Sequence, residues 1–194
     1  MQIVNKKRNT KETEISLIFN PKGSGNYKIS TGIKFFDHML EQFAYHGNFD
    51  IELNVNSIDK DNHHIVEDVA ITLGQAFIES LEDKKGIKRY SDIILPMDEA
   101  LVLAVVDISG RAFCKCSFNL ADEKTSDFET VLLPHFYNSF AQNSLITLHI
   151  KQLDGFDTHH IIECSFKAFA RALRGAIEVD KNKFDEVPST KGIL

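Results

Sequence analysis

Two segments of this chain repeat one another, and that repeat constrains the fold more tightly than any other feature. Phe36-Asp37-His38-Met39 opens one copy, and Leu133-Pro134-His135-Phe136 opens the other about 97 residues later. His63-His64-Ile65-Val66-Glu67 follows 25 residues after His38, and His159-His160-Ile161-Ile162-Glu163 follows 24 residues after His135. A period this long marks a duplication, because solenoid repeats run to roughly 20–50 residues. The chain therefore divides into two half-repeats, residues 1–92 and 93–194, within one compact unit.

Hydrophobic periodicity fills in each half. Met39, Phe43 and His46 fall at helical spacing, with Gly47 as the expected stop. Phe49–Val55 alternates as a strand, Asn56–Asn62 reads as polar loop, and Val66–Leu81 reads as a long helix. The second copy repeats the order: a short helix over Phe136–Gln142, a strand over Leu145–Ile150 and a long helix over Ile162–Ile177. Strand candidates precede each short helix, Thr13–Phe19 and Tyr27–Ser30 in the first copy, Ala100–Ile108 and Ala112–Phe118 in the second. Ser109-Gly110 is the expected turn of a hairpin between the last two. Each half thus reads strand-strand-helix-strand-helix, which predicts an α/β fold of the two-layer α+β kind, with two helices on one face of each sheet.

Composition removes several classes of function. The 22 Lys+Arg are outnumbered by 28 Asp+Glu, for a formal charge of -6, so the basic excess of a nucleic-acid binder is absent. The longest apolar run, Ala100–Val106, is too short to span a bilayer, so no membrane partner is expected. The first residues lack an apolar stretch after their charges, and the three cysteines are an odd number. Both features predict a cytoplasmic protein without a disulfide framework.

Eight histidines remain, and six of them belong to the repeat. On a helix, His63 and Glu67 are four residues apart and His64 and Glu67 three, spacings that share a face. Adjacent His63 and His64 diverge by about 100° and cannot easily serve one ion. The economical arrangement is two metals, each taking one histidine of a pair locally and others from elsewhere. Six histidines (His38, His63, His64, His135, His159, His160) with Glu67 and Glu163 divide into two four-ligand sites. Imidazole and carboxylate without thiolate suit Mn, Fe, Ni or Zn. His46 ends a helix, where the dipole favours a cation, and His149 lies on a strand surface. A di-metal storage bundle would show Glu-x-x-His on long helices, the reverse of the order here. A dinuclear hydrolase that attacks an ester stays open on the ligand set alone.

Longer motifs carry a family resemblance. They include Arg8-x-Thr10-x-Glu12-Thr13-x-Ile15, Phe36-Asp37-His38-Met39-Leu40 and Asp61-x-His63-His64-x-x-Glu67-Asp68. Pro96-Met97-Asp98-Glu99-Ala100, Asp107-x-Ser109-Gly110-Arg111 and Thr147-Leu148-His149-Ile150 come next. His159-His160-Ile161-Ile162-Glu163-x-x-Phe166-Lys167-Ala168 and Pro188-Ser189-Thr190-Lys191-Gly192 complete the set. In these the chain resembles monofunctional imidazoleglycerol-phosphate dehydratases over nearly its whole length. Ile65, Lys34 and Ser144 depart from the family pattern, and none is a presumed ligand.

The resemblance implies helices packed between two sheets and a lyase that dehydrates D-erythro-imidazole glycerol phosphate to imidazole acetol phosphate in L-histidine biosynthesis. It implies two Mn2+ per active site and a homo-oligomer of 24 subunits with sites at subunit interfaces. The substrate's C2 proton has no neighbouring carbonyl to acidify it, so the ring must act as electron sink. A ring held between metals as imidazolate could expel the C3 hydroxyl and give a diazafulvene-like intermediate. Glu12 is the implied general acid/base, with Glu41 the competing carboxylate. The implied substrate contacts are Glu12, His38, His46, His63, Glu67, Arg89, Arg111, His159, Lys167 and the C-terminal Ser189, Thr190 and Lys191. The cations among them would meet the phosphate.

Overall fold

The computed structural model describes all residues, Met1–Leu194, and shows the duplication directly. In the first half, β1 (Val4–Asn9), β2 (Thr13–Asn20), β3 (Tyr27–Ser30) and β4 (Asp50–Ser57) form a sheet in the order β1-β2-β4-β3. In the second, β5 (Tyr90–Met97), β6 (Ala100–Asp107), β7 (Phe113–Ser117) and β10 (Thr147–Asp154) form a sheet in the order β5-β6-β10-β7. A two-stranded ribbon, β8 (Lys124–Thr125) with β9 (Phe128–Glu129), follows β7. The helices are α1 (Lys34–Gly47), α2 (Asn62–Ser80), α3 (Leu132–Ser144) and α4 (Thr158–Ile177).

Each sheet turns one face to the helices. Thr13, Ile15, Leu17 and Phe19 alternate with exposed residues along β2, and Ala100, Val102, Ala104 and Val106 do the same along β6. The helices fill the space between the sheets, as expected, and pair across the halves: α1 packs on α4 and α2 on α3. The abundant phenylalanines close these seams. Phe43 of α1 lies 5.5 Å from Phe169 of α4, and Phe140 of α3 meets Phe169 edge-on at 5.0 Å. Each such ring, fully buried, contributes roughly 1.5–3 kcal/mol.

Four local expectations are corrected. Ser109-Gly110 does not close a hairpin, because β10 lies between β6 and β7 and runs parallel to β7. The chain is led to the start of β10 instead: Ser109 Oγ lies 3.3 Å from Thr147 Oγ1, and the N–H of Phe113, which opens β7, donates to the O of Ile146, just before β10, at 3.0 Å. The first half does the same, with β4 between β2 and β3. Edge strands β1 and β5 escaped the sequence reading, because β1 buries only Val4 and β5 carries Pro96, tolerated at an edge. β5 also straddles the 92/93 boundary.

Gly47 is the last helical residue of α1, and Asn48 takes the left-handed conformation at φ 50°. Finally, α2 and α4 start earlier than their apolar pattern. Asp61 accepts the His63 N–H, and Asp157 accepts those of His159 and His160, so both histidine pairs sit in the first helical turn. No helix is long and apolar enough to cross a membrane.

Candidate metal centre

Side chains from the N-terminal parts of the four helices form two groups. His38 of α1 joins His159 and Glu163 of α4. His135 of α3 joins His63 and Glu67 of α2. Within each group one ligand atom from every residue lies within 4.8 Å of the others. Each group therefore draws one histidine from one half and a His-x-x-x-Glu pair from the other. His38 Nε2 is 3.5 Å from Glu163 Oε2, and His159 Nε2 is 3.1 Å from the same oxygen. In the second group the His63 and His135 rings stack at 4.3 Å. His135 Nε2 stands 3.4 Å from Glu67 Oε1, yet it is buried without a hydrogen-bond partner.

His64 and His160 lie outside these groups, as their divergence from His63 and His159 requires. Each is held by carboxylates. His64 Nδ1 is 2.6 Å from Asp59 Oδ2, and its Nε2 is 3.7 Å from Glu12 Oε1. His160 Nδ1 is 2.9 Å from Glu99 Oε2. The hydrogen bond to Asp59 raises the His64 pKa, and that to Glu99 raises the His160 pKa. Reciprocally, the His160 bond, followed by the Asp157 N–H, holds Glu99 down to about 2. A carboxylate hydrogen-bonded to one ring nitrogen is the arrangement that orients metal-binding imidazoles.

Asp59 and Glu99 were missed in the sequence. The duplication carried a signal for Glu99, which precedes β6 as Glu12 precedes β2. Glu12 itself is tied to α2 through Asp68, which is buried and accepts from Arg8 Nε at 2.8 Å and from the Thr13 hydroxyl. Glu41 lies 3.7 Å from His38 Nδ1, too far for a hydrogen bond.

The implied substrate cations separate into two places. Lys167 and His46 flank the first group. Lys167 Nζ contacts Glu163 Oε1 at 2.7 Å. Burial, then the charges of Lys167 and Arg171, lower the His46 pKa. Burial alone would raise the Glu163 carboxyl, but Lys167, with His159 and His38, outweighs it and the pKa falls below its usual value.

Arg89, Arg111 and the tail lie at the other end of the helices. The Arg89 N–H donates to Ala176 O at 2.8 Å, in the last turn of α4, and its guanidinium pairs with Asp107 at 2.7 Å and donates to Pro188 O at 2.9 Å. Ser189, Thr190 and Lys191 follow that anchor. Arg111 is exposed and its guanidinium reaches only Ser109 O, beside Gly110, which abuts Leu194. At a rise of about 1.5 Å per residue, Ala176 lies roughly 25 Å from His159. One chain does not bring these residues to its own histidine groups.

Fold and site together define a duplicated α/β protein with twin histidine–carboxylate centres shared between its halves. Residues 31–173 match the family model of imidazoleglycerol-phosphate dehydratase. The imidazoleglycerol-phosphate dehydratase of Caldicellulosiruptor saccharolyticus is 45% identical over 194 residues, covering 100% of this chain and 98% of that one. That of Alkaliphilus metalliredigens is 52% identical over 188 residues, covering 96% of each chain. The crystal structure of the Staphylococcus aureus enzyme superposes with a TM-score of 0.84 at 35% identity, over 92% of this chain and 100% of that one. The Pyrococcus furiosus enzyme, in complex with (S)-C348, gives 0.85 at 37% identity, over 97% and 100%. The chain belongs to the imidazoleglycerol-phosphate dehydratase family, hydro-lyases that dehydrate imidazoleglycerol phosphate in histidine biosynthesis.

Proposed function

We propose that this chain converts D-erythro-imidazole glycerol phosphate to imidazole acetol phosphate with two Mn2+ per site, in a cytoplasmic homo-oligomer of 24 subunits whose sites form between subunits. The observation that carries the metal reading is His135 Nε2, a buried nitrogen with no hydrogen-bond partner, aimed at Glu67 and stacked with His63. Such an atom is costly unless something binds it. The donor set, imidazole and carboxylate without thiolate, fits Mn2+.

His38, His159 and Glu163 would hold one ion, and His63, Glu67 and His135 the other. His64 and His160, their Nδ1 atoms already engaged, would offer Nε2 to the centres of a neighbouring copy. Bound Mn2+ would supply the Lewis acidity that favours the anionic form of the substrate ring. Glu12, beside His64, would then move the proton at the substrate's C2. Lys167 and His46 would face the substrate next to the first group. Arg89, Arg111 and Ser189–Lys191, some 25 Å away in their own chain, would reach the phosphate only from a neighbouring copy.

Chelator-stripped protein reloaded with Mn2+ and supplied with imidazole glycerol phosphate is expected to form the ketone. Release of inorganic phosphate instead would show an ester hydrolase, and no turnover would overturn the dehydration reading. His64→Ala and His160→Ala are each expected to lower bound Mn2+ and abolish turnover. Full activity in both would remove them from the ligand set.

A further inference from the structure

The two histidine–carboxylate groups are copies of one another, yet their surroundings differ in charge. Aligning His63-His64-x-x-Glu67 with His159-His160-x-x-Glu163 places Ile71 opposite Lys167 and Gln75 opposite Arg171. Aligning His38 with His135 places His46 opposite Asn143. The seam between α1 and α4 therefore carries Lys167, Arg171 and His46, whereas the seam between α2 and α3 carries Ile71, Gln75 and Asn143. In the neutral seam Gln75 simply donates to Asn143 at 3.2 Å.

This difference reaches the ligands. Glu163 is buried, with one oxygen on Lys167 at 2.7 Å and the other within reach of His159 and His38. Its negative charge is already neutralised before any ion arrives. Glu67 is more exposed and pairs with no Lys or Arg, and its neighbour His135 keeps an unpartnered buried nitrogen. A cation entering the second group meets an uncompensated carboxylate and satisfies that nitrogen. One entering the first group shares its carboxylate with a fixed ammonium, which repels it.

We infer that the two metal sites are unequal, the His63–Glu67–His135 group holding its divalent cation tightly and the His38–His159–Glu163 group holding its own weakly because Lys167 shares Glu163. This rests on the proposed placement of Mn2+ at these groups. Lys167 is thereby a residue that sets the affinity of the first site, a role the neutral Ile71 does not play in the second.

The test is equilibrium dialysis of the loaded particle against chelator-buffered Mn2+, with bound metal counted by atomic absorption and free Mn2+ by electron paramagnetic resonance. Wild type is expected to lose one ion per chain first and to hold the second at free Mn2+ at least about tenfold lower. His159→Ala should delete the weak class and His63→Ala the tight class. Lys167→Met should tighten the weak class by about tenfold or more and leave the tight class unmoved. Ile71→Lys, which requires no disturbance of the first group, should weaken the tight class.

A single class of sites in wild type would overturn the inference. So would a weak class unmoved by Lys167→Met, or the loss of the tight class in His159→Ala. If Mn2+ binding is unchanged in both His63→Ala and His159→Ala, the placement of metal at these groups fails instead.

Discussion

Asp68 illustrates how one buried side chain on α2 anchors the turn that carries Glu12, the proposed proton carrier. It follows Glu67 on α2 and is 3% exposed, yet it gathers Arg8, Thr10 and Thr13 around its carboxylate. Glu12 lies between two of these anchors, so its distance from His64 depends on them. Asp68→Ala strands Arg8 and two hydroxyls, and removing one member of a largely buried charge pair costs on the order of 3 kcal/mol. The expected outcome is a lower denaturant midpoint and a turnover defect with bound metal retained, since His63 and Glu67 stay on their helix. Wild-type turnover in that variant would show that Glu12 needs no such support. The motif Arg8-x-Thr10-x-Glu12-Thr13 was legible in the sequence; its partner on α2 was not, because nothing local connects residues 60 positions apart.

At the scale of elements, helix starts were harder to read than helix faces. α1 has no cap of its own: Ile33 stands at the N-cap position and makes no side-chain bond. Asp127, from the ribbon of the other half, takes the Lys34 and Phe35 N–H groups at 2.8 and 2.9 Å. Burial alone would raise the Asp127 carboxyl, but the bonds from Phe35 and Lys34 outweigh it and hold the pKa below the usual value. Because the folded pKa is depressed, the contribution is complete above the unfolded carboxyl's value and is lost as pH falls through the lower folded one. Asp127→Ala should therefore destabilise the protein by about 1 kcal/mol near neutrality. The difference from wild type should shrink as pH drops below about 4; a gap that stays constant into acid would show that the charge is not what caps α1. No pattern within residues 30–47 could have revealed a cap supplied from residue 127. By contrast, Asp61 and Asp157 cap the helices they precede, a local signal that the apolar pattern passes over because it begins only at Val66 and Ile162.

At the scale of the whole molecule, the crossed pairing of α1 with α4 and α2 with α3 decides the chemistry. It brings His38 to Glu163 and His135 to Glu67, so neither half could form a centre alone. The same geometry leaves His64 and His160 outside both groups, each held by carboxylates, and sets Arg89 and the tail at the far end. If ligands bridge subunits, complete chelation of the loaded protein is expected to lower its sedimentation coefficient, and Mn2+ to restore it. A coefficient unchanged through both steps would mean that metals do not join the copies.

The sequence by itself determined the duplication, the helix faces, the interior strands and the eight metal-binding candidates, because each is written in residue type and local spacing. Only the tertiary structure decided how they combine. Strand neighbours follow hydrogen-bonded pairing rather than chain order, so β10 entered between β6 and β7. The grouping of the histidines follows helix crossing, and the charge around each group follows which side chains face the seam. Those are long-range packing outcomes, and in this chain they make two copies of one motif chemically different.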